Sequence, residues 1–129
     1  MKFTKAANMG LHVMTYLAQN DMDEHNLSIH DLAKRFEVSS SYLSKILTQL
    51  AKANLISSVS GVKGGYKLKK NPNEVSFLDI IQSIDGMPEE VACLANNQHQ
   101  CPINKVLNQG EKQMWDYFAT VKLGQLHSL

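Results

Sequence analysis

The stretch Ser28-Ile29-His30-Asp31-Leu32-Ala33-Lys34-Arg35-Phe36-Glu37-Val38-Ser39-Ser40-Ser41-Tyr42-Leu43-Ser44-Lys45-Ile46-Leu47-Thr48-Gln49-Leu50 decides the fold. Its first four residues form a capping box with Asp in place of the usual Glu. The Ser28 hydroxyl can accept from backbone N–H groups that a starting helix leaves unpaired. Leu32, Ala33 and Phe36 then predict the buried side of a short helix that ends near Phe36. Glu37-Val38-Ser39 breaks the pattern, and Leu43, Ile46, Leu47 and Leu50 resume it at i, i+3, i+4, i+7, with Ser39 or Ser40 as N-cap. Two short helices joined by about three residues make a helix-turn-helix, whose second helix enters the major groove of DNA.

The outer side of that second helix presents Ser40, Ser41, Ser44, Lys45, Thr48, Gln49 and Lys52, with Ser39 at the cap and Tyr42 near the leading end. All carry hydrogen-bond donors, and serines close to a helix N-terminus suit base edges or phosphates. A merely solvated helix surface mixes Glu with Lys. From Val38 to Leu50 there is no acid at all, which favours a nucleic acid.

Downstream, Leu55-Ile56-Ser57-Ser58-Val59-Ser60 reads as a strand and Tyr66-Lys67-Leu68-Lys69 as its partner, with Gly61, Gly64 and Gly65 turning the chain between them. A two-stranded hairpin directly after a helix-turn-helix is a wing. Lys63 stands at its tip, where a flexible cation can reach phosphates or the minor groove, and Lys67 and Lys69 are expected on one strand face. Upstream, Ala7, Leu11, Met14 and Ala18 place a helix over residues 5–19, and Lys5 at its start completes the candidate DNA contacts.

Charge follows the same division. Residues 1–70 hold ten Lys/Arg against five Asp/Glu, a net of +5, whereas residues 71–129 hold three against seven, a net of −4. The basic excess concentrates in residues 34–70, where eight cations face only Glu37. That distribution points to a polyanion. With 129 residues, 43% of them hydrophobic, the chain is expected to form one compact domain. Within it, residues 1–72 form a winged helix-turn-helix region and residues 73–129 an effector loop and dimerisation helix. No stretch is apolar and long enough to span a bilayer, and Met1-Lys2-Phe3-Thr4-Lys5 lacks the apolar block of a secretory leader, so no membrane and a cytoplasmic location are expected.

In the second half, Ser76-Phe77-Leu78-Asp79 starts a further capped helix with Ile80, Ile81 and Ile84 inward. Ile103, Leu107, Gly110, Met114, Tyr117 or Phe118, and Val121 then recur every three or four positions behind Pro102. This long amphipathic helix can pack on its own domain or against a symmetry mate, and Gly110 on the seam would allow close backbone approach. The expected fold is therefore mainly α: a winged helix-turn-helix with a two-stranded β wing plus a long C-terminal dimerisation helix. An enzyme with Cys101 as nucleophile and His99 or His12 as base is set aside, because no orienting acid or oxyanion site stands at a recognisable spacing.

The opening Met1-Lys2-Phe3-Thr4, the run Val38-Ser39-Ser40-Ser41-Tyr42-Leu43, the wing Gly61-Val62-Lys63-Gly64-Gly65-Tyr66, and Phe77-Leu78-Asp79-Ile80-Ile81 followed by Asp85-Gly86 come in an order that resembles the Rrf-two family of bacterial winged-helix transcription regulators. The resemblance spans almost the entire chain. It implies a homodimer on a partly palindromic stretch of double-stranded DNA, usually as a repressor. Many members carry an acid where this chain has Ser44 and an arginine where it has Ser60. The role of that arginine in the minor groove must pass to Lys63 or be absent, which implies a different operator. A winged-helix interaction module without DNA binding is the alternative.

The resemblance also assigns a sensor role to the loop Cys93-Leu94-Ala95-Asn96-Asn97-Gln98-His99-Gln100-Cys101. Cluster-binding relatives use three cysteines here plus a further ligand. Cys93 and Cys101 match the first and last, the middle one is missing, and Asn8 stands where some members place an acidic ligand. Iron–sulfur clusters demand thiolates at most positions, so no cofactor is expected. The alternative is a cluster held by Cys93, Cys101 and His99. A reversible thiol switch between Cys93 and Cys101 is the redox possibility, and inert cysteines are the third.

Overall fold

Each helix begins where the chain can satisfy or forgo its first unpaired N–H groups. Thr4 accepts from Ala7 N to start α1 (Lys5–Gln19), and Ser28 and Asp31 close a reciprocal capping box on α2 (Ile29–Phe36). The Ser28 hydroxyl, and after it the Ser28 backbone N–H, hold the exposed Asp31 carboxyl below its ordinary pKa. Ser39, the first of the two expected caps, accepts from Tyr42 N at 3.2 Å and opens α3 (Ser40–Lys52). Ser76 and Asp79 repeat the capping box on α4 (Phe77–Asp85), and Pro102 supplies the first turn of α5 (Pro102–Thr120). The structure, a computed structural model, describes residues 3–20, 26–87, 89, 92, 94 and 101–129.

The turn between α2 and α3 is made by Glu37 in the left-handed region (φ 55°), with Val38 N returning to Ala33 O at 3.1 Å. Asn54 (φ 61°) ends α3 in the same manner, Leu55 N donating to Leu50 O. The hairpin follows as β1 (Ile56–Val59) and β2 (Gly65–Leu68), antiparallel, with Ile56 opposite Leu68 and Val59 opposite Gly65. β2 stops at Leu68, so Lys69 does not share a strand face with Lys67 as the alternation predicts. Its ammonium turns to Asn54 Oδ1 at 3.3 Å.

One core serves all these elements. Val13, Met14 and Leu17 of α1 meet Leu32 of α2, Leu43, Ile46, Leu47 and Leu50 of α3, Ile56 and Leu68 of the hairpin, and Ile80 of α4. Phe36 only half enters it. Gly10 lets α1 lie close on α4, since a Cβ there would stand 3.2 Å from Ile84 Cγ1. The chain beyond α5 returns to the same core: Phe77 N bonds Val121 O, Leu123 N bonds Val75 O, and Leu123 is buried. α5 rests on the domain through aromatic rings, Phe118 stacked on Phe77 (centroids 6.4 Å), and Phe118 and Trp115 both edge-on to Phe3. Among the described residues no helix is long and apolar enough to cross a membrane.

Candidate nucleic-acid interface

α3 carries two opposed stripes. Leu43, Ile46, Leu47 and Leu50 are buried, while Ser41, Ser44, Lys45 and Thr48 repeat the same i, i+3, i+4, i+7 spacing two residues earlier and are all exposed. At 3.6 residues per turn that offset is about 200°, so the hydrophilic stripe points directly away from the core. The apolar stripe thus fixes the rotation of α3, and the rotation sets which side chains face outward.

The remaining sequence-predicted contacts divide. Ser39 is spent on the cap, with its hydroxyl 3.4 Å from that of Ser41, and Ser40 is half-buried beside the stripe. Tyr42 packs on the core and its hydroxyl is buried, with no hydrogen-bond partner among the described residues. Gln49 is exposed, yet its amide donates to the Ile84 carbonyl of α4 at 3.5 Å. Thr48 donates to the Ser44 carbonyl at 2.8 Å. Lys45 is exposed and, among the described residues, makes no ion pair. Lys5 is exposed on the first turn of α1.

Lys63 is exposed in the wing turn, and its carbonyl accepts from Asn26 Nδ2 at 3.3 Å. That bond belongs to a tether absent from the sequence reading. Leu27, just ahead of α2, pairs with Tyr66 of β2 in both directions, Tyr66 N to Leu27 O at 2.7 Å and Leu27 N to Tyr66 O at 3.3 Å. The wing is thereby anchored to the start of the helix-turn-helix. The glycines are needed here: a Cβ on Gly64 would lie 2.2 Å from Val59 O, and one on Gly65 (φ 150°) 2.6 Å from Leu27 O. An apolar residue followed by a capping Ser immediately before α2 is the only local signal of this tether.

In the second half, Cys93 and His99 lie outside the described residues. Cys101 is the N-cap residue of α5 and is only 8% exposed. This end of the candidate thiol pair is therefore buried and not presented to solvent. Two cysteines in the chain and a buried Cys101 do not fit a cluster that needs thiolates at most positions, and no chemistry is derived through one. On α5, Ile103, Leu107, Gly110 and Tyr117 of the predicted seam are exposed, Met114, Phe118 and Val121 are half-buried, and Val106, outside the predicted seam, is 72% exposed.

The model of the Rrf2 family, described as "Iron-dependent Transcriptional regulator", matches residues 3–128. The chain belongs to the Rrf2 family. Its identity to BadM of Rhodopseudomonas palustris is 33% over 109 residues, covering 83% of this chain and 69% of that protein. With the HTH-type transcriptional regulator NsrR of Geobacillus kaustophilus it is 29% over 106 residues, covering 82% and 71%. The crystal structure of the oxidised form of Staphylococcus aureus CymR superposes with a TM-score of 0.79 at 26% identity, over all of both chains. The Rrf2 family consists of transcriptional regulators, not enzymes, and the mainly helical winged fold is theirs. The family accordingly implies DNA binding.

Proposed function

We propose that this Rrf2 regulator binds double-stranded DNA as a homodimer, with α3 in the major groove and Lys63 of the wing on the flanking backbone, and acts as a repressor on a partly palindromic operator. The observation that carries the reading is the acid-free stripe Ser41, Ser44, Lys45 and Thr48, held diametrically opposite the core face of the second helix of the helix-turn-helix. The wing, tied to the start of α2 through Leu27 and Asn26, supports a fixed spacing between Lys63 and that stripe.

A second copy of the chain fits the exposed apolar seam of α5. A helix of 19 residues is about 28 Å long, enough to pair along several turns and to hold two α3 helices about 34 Å apart, one turn of B-DNA. The effector input we place at Cys93 and Cys101, as a thiol pair. Their position ahead of the dimerisation helix supports this, and the related CymR has an oxidised form.

The test is binding of the purified protein to the DNA upstream of its own gene across a salt series. A steep fall with salt is expected, with Lys63→Ala lowering the slope by about 1. Absence of binding at low salt would overturn the reading and leave a winged-helix interaction module. For the input, oxidant treatment should give a disulfide that is lost in Cys93→Ser and in Cys101→Ser; none forming removes the thiol pair.

A further inference from the structure

The hydrogen bonds of α3 restrict which bases it can read. The helix carries one amide, no carboxylate and, ahead of its last residue Lys52, one cation. A carboxylate would accept from the amino group of cytosine, and an amide would pair with adenine through N6 and N7. The first is absent. The second, Gln49, has one of its two amide N–H groups on the Ile84 carbonyl at 3.5 Å, which draws the side chain toward α4. Ser44 is exposed, and a serine hydroxyl both donates and accepts, so it cannot discriminate.

Two groups remain with a defined preference. Lys45 offers an ammonium with no ion pair among the described residues, and ammonium donors select the O6 and N7 acceptors of guanine. Thr48 has a single hydroxyl hydrogen, and the Ser44 carbonyl takes it. With its hydroxyl hydrogen engaged by the preceding turn, Thr48 keeps its methyl as the group with a base preference, whose complement in the major groove is the C5-methyl of thymine. The two residues stand i, i+3 on one face, about 4.5 Å apart along the axis, close to one base-pair step.

We infer that Lys45 and Thr48 are the specificity-determining pair of this protein, selecting a guanine and a thymine within two base pairs of each other in each half-site. The inference rests on α3 being the helix that enters the major groove. Ser44 then contributes affinity without base preference, and the Gln49 tie to α4 opposes a bidentate pair with adenine.

The test starts from random-sequence duplexes selected on the purified full-length protein at low salt. The enriched half-site should hold the guanine and the thymine. Replacing that guanine by adenine should weaken wild type roughly ten-fold, and the preference should vanish in Lys45→Ala. Replacing the thymine by deoxyuridine, which lacks only the methyl, should weaken wild type roughly three-fold and leave Thr48→Ser indifferent. An enriched half-site whose base preferences survive both variants overturns the inference while DNA binding stands. So does a Lys45→Ala variant that weakens all duplexes equally and lowers the salt slope by about 1, the behaviour of a phosphate contact. Retention of no duplex at all overturns the DNA-binding reading itself.

Discussion

Thr4 and Asp85, 81 positions apart, share a hydrogen bond: the Thr4 hydroxyl that accepts from Ala7 N to cap α1 also donates to the Asp85 carboxylate at the end of α4. One side chain thus starts the first helix and holds the last residue of the fourth, where the chain leaves for the segment carrying Cys93. α1 and α4 lie flush behind this bond because Gly10 faces Ile84.

Removing both roles at once should cost more than an ordinary surface change. Thr4→Ala is expected to destabilise the fold by about 1–2 kcal/mol through the lost cap, whereas Thr4→Ser should recover most of it. Urea unfolding midpoints of the three proteins decide this, and equal midpoints would show that the bond contributes nothing.

The wing offers a contrast between space and conformation. Gly64→Ala places a methyl 2.2 Å from the Val59 carbonyl, and Gly65→Ala one 2.6 Å from the Leu27 carbonyl. Neither backbone atom can yield cheaply. Both variants should remain folded around the helical core yet bind DNA at least ten-fold more weakly, with Gly65→Ala also freeing the amide of Tyr66 to exchange. Wild-type affinity in either would mean that the wing does not set the contact.

On α5 the exposed seam predicts opposite outcomes from two kinds of substitution. Val106→Glu with Leu107→Glu should yield a monomer with unchanged helix content by sedimentation and circular dichroism. In that monomer, Gly110→Ala should raise stability by up to ~1 kcal/mol, since nothing lies within 4 Å of the added methyl and alanine favours the helix. A dimer that survives both glutamates removes this face from the interface.

Acid should find the α2 cap before it finds the core. Hydrogen bonds from Ser28 lower the Asp31 pKa on folding, so the capping box contributes stability that is complete above the ordinary carboxylate value near 4. That contribution is lost as pH falls through the lowered folded value. Asp31→Asn should therefore lose less stability than wild type between pH 7 and pH 3, compared by thermal midpoints. Parallel curves would contradict the cap's role.

Much of this molecule follows from local sequence. The capping boxes at Ser28 and Ser76 depend on residues three apart, and the inward stripe Leu43, Ile46, Leu47, Leu50 sets the outward stripe by helix geometry alone, so the caps and the outward placement of Ser41, Ser44, Lys45 and Thr48 are legible in the sequence. Tertiary structure alone decided the rest, because it depends on groups far apart in the chain. Leu27 pairs with Tyr66 only once α2 and the hairpin share a core; the Gln49 amide donates to the Ile84 carbonyl because the end of α4 presents it; Tyr42 packs against the core; and Cys101 is buried at the start of α5. Periodicity reports which side of a helix is apolar. It carries no record of which distant backbone group arrives to take up a side chain's hydrogen bond.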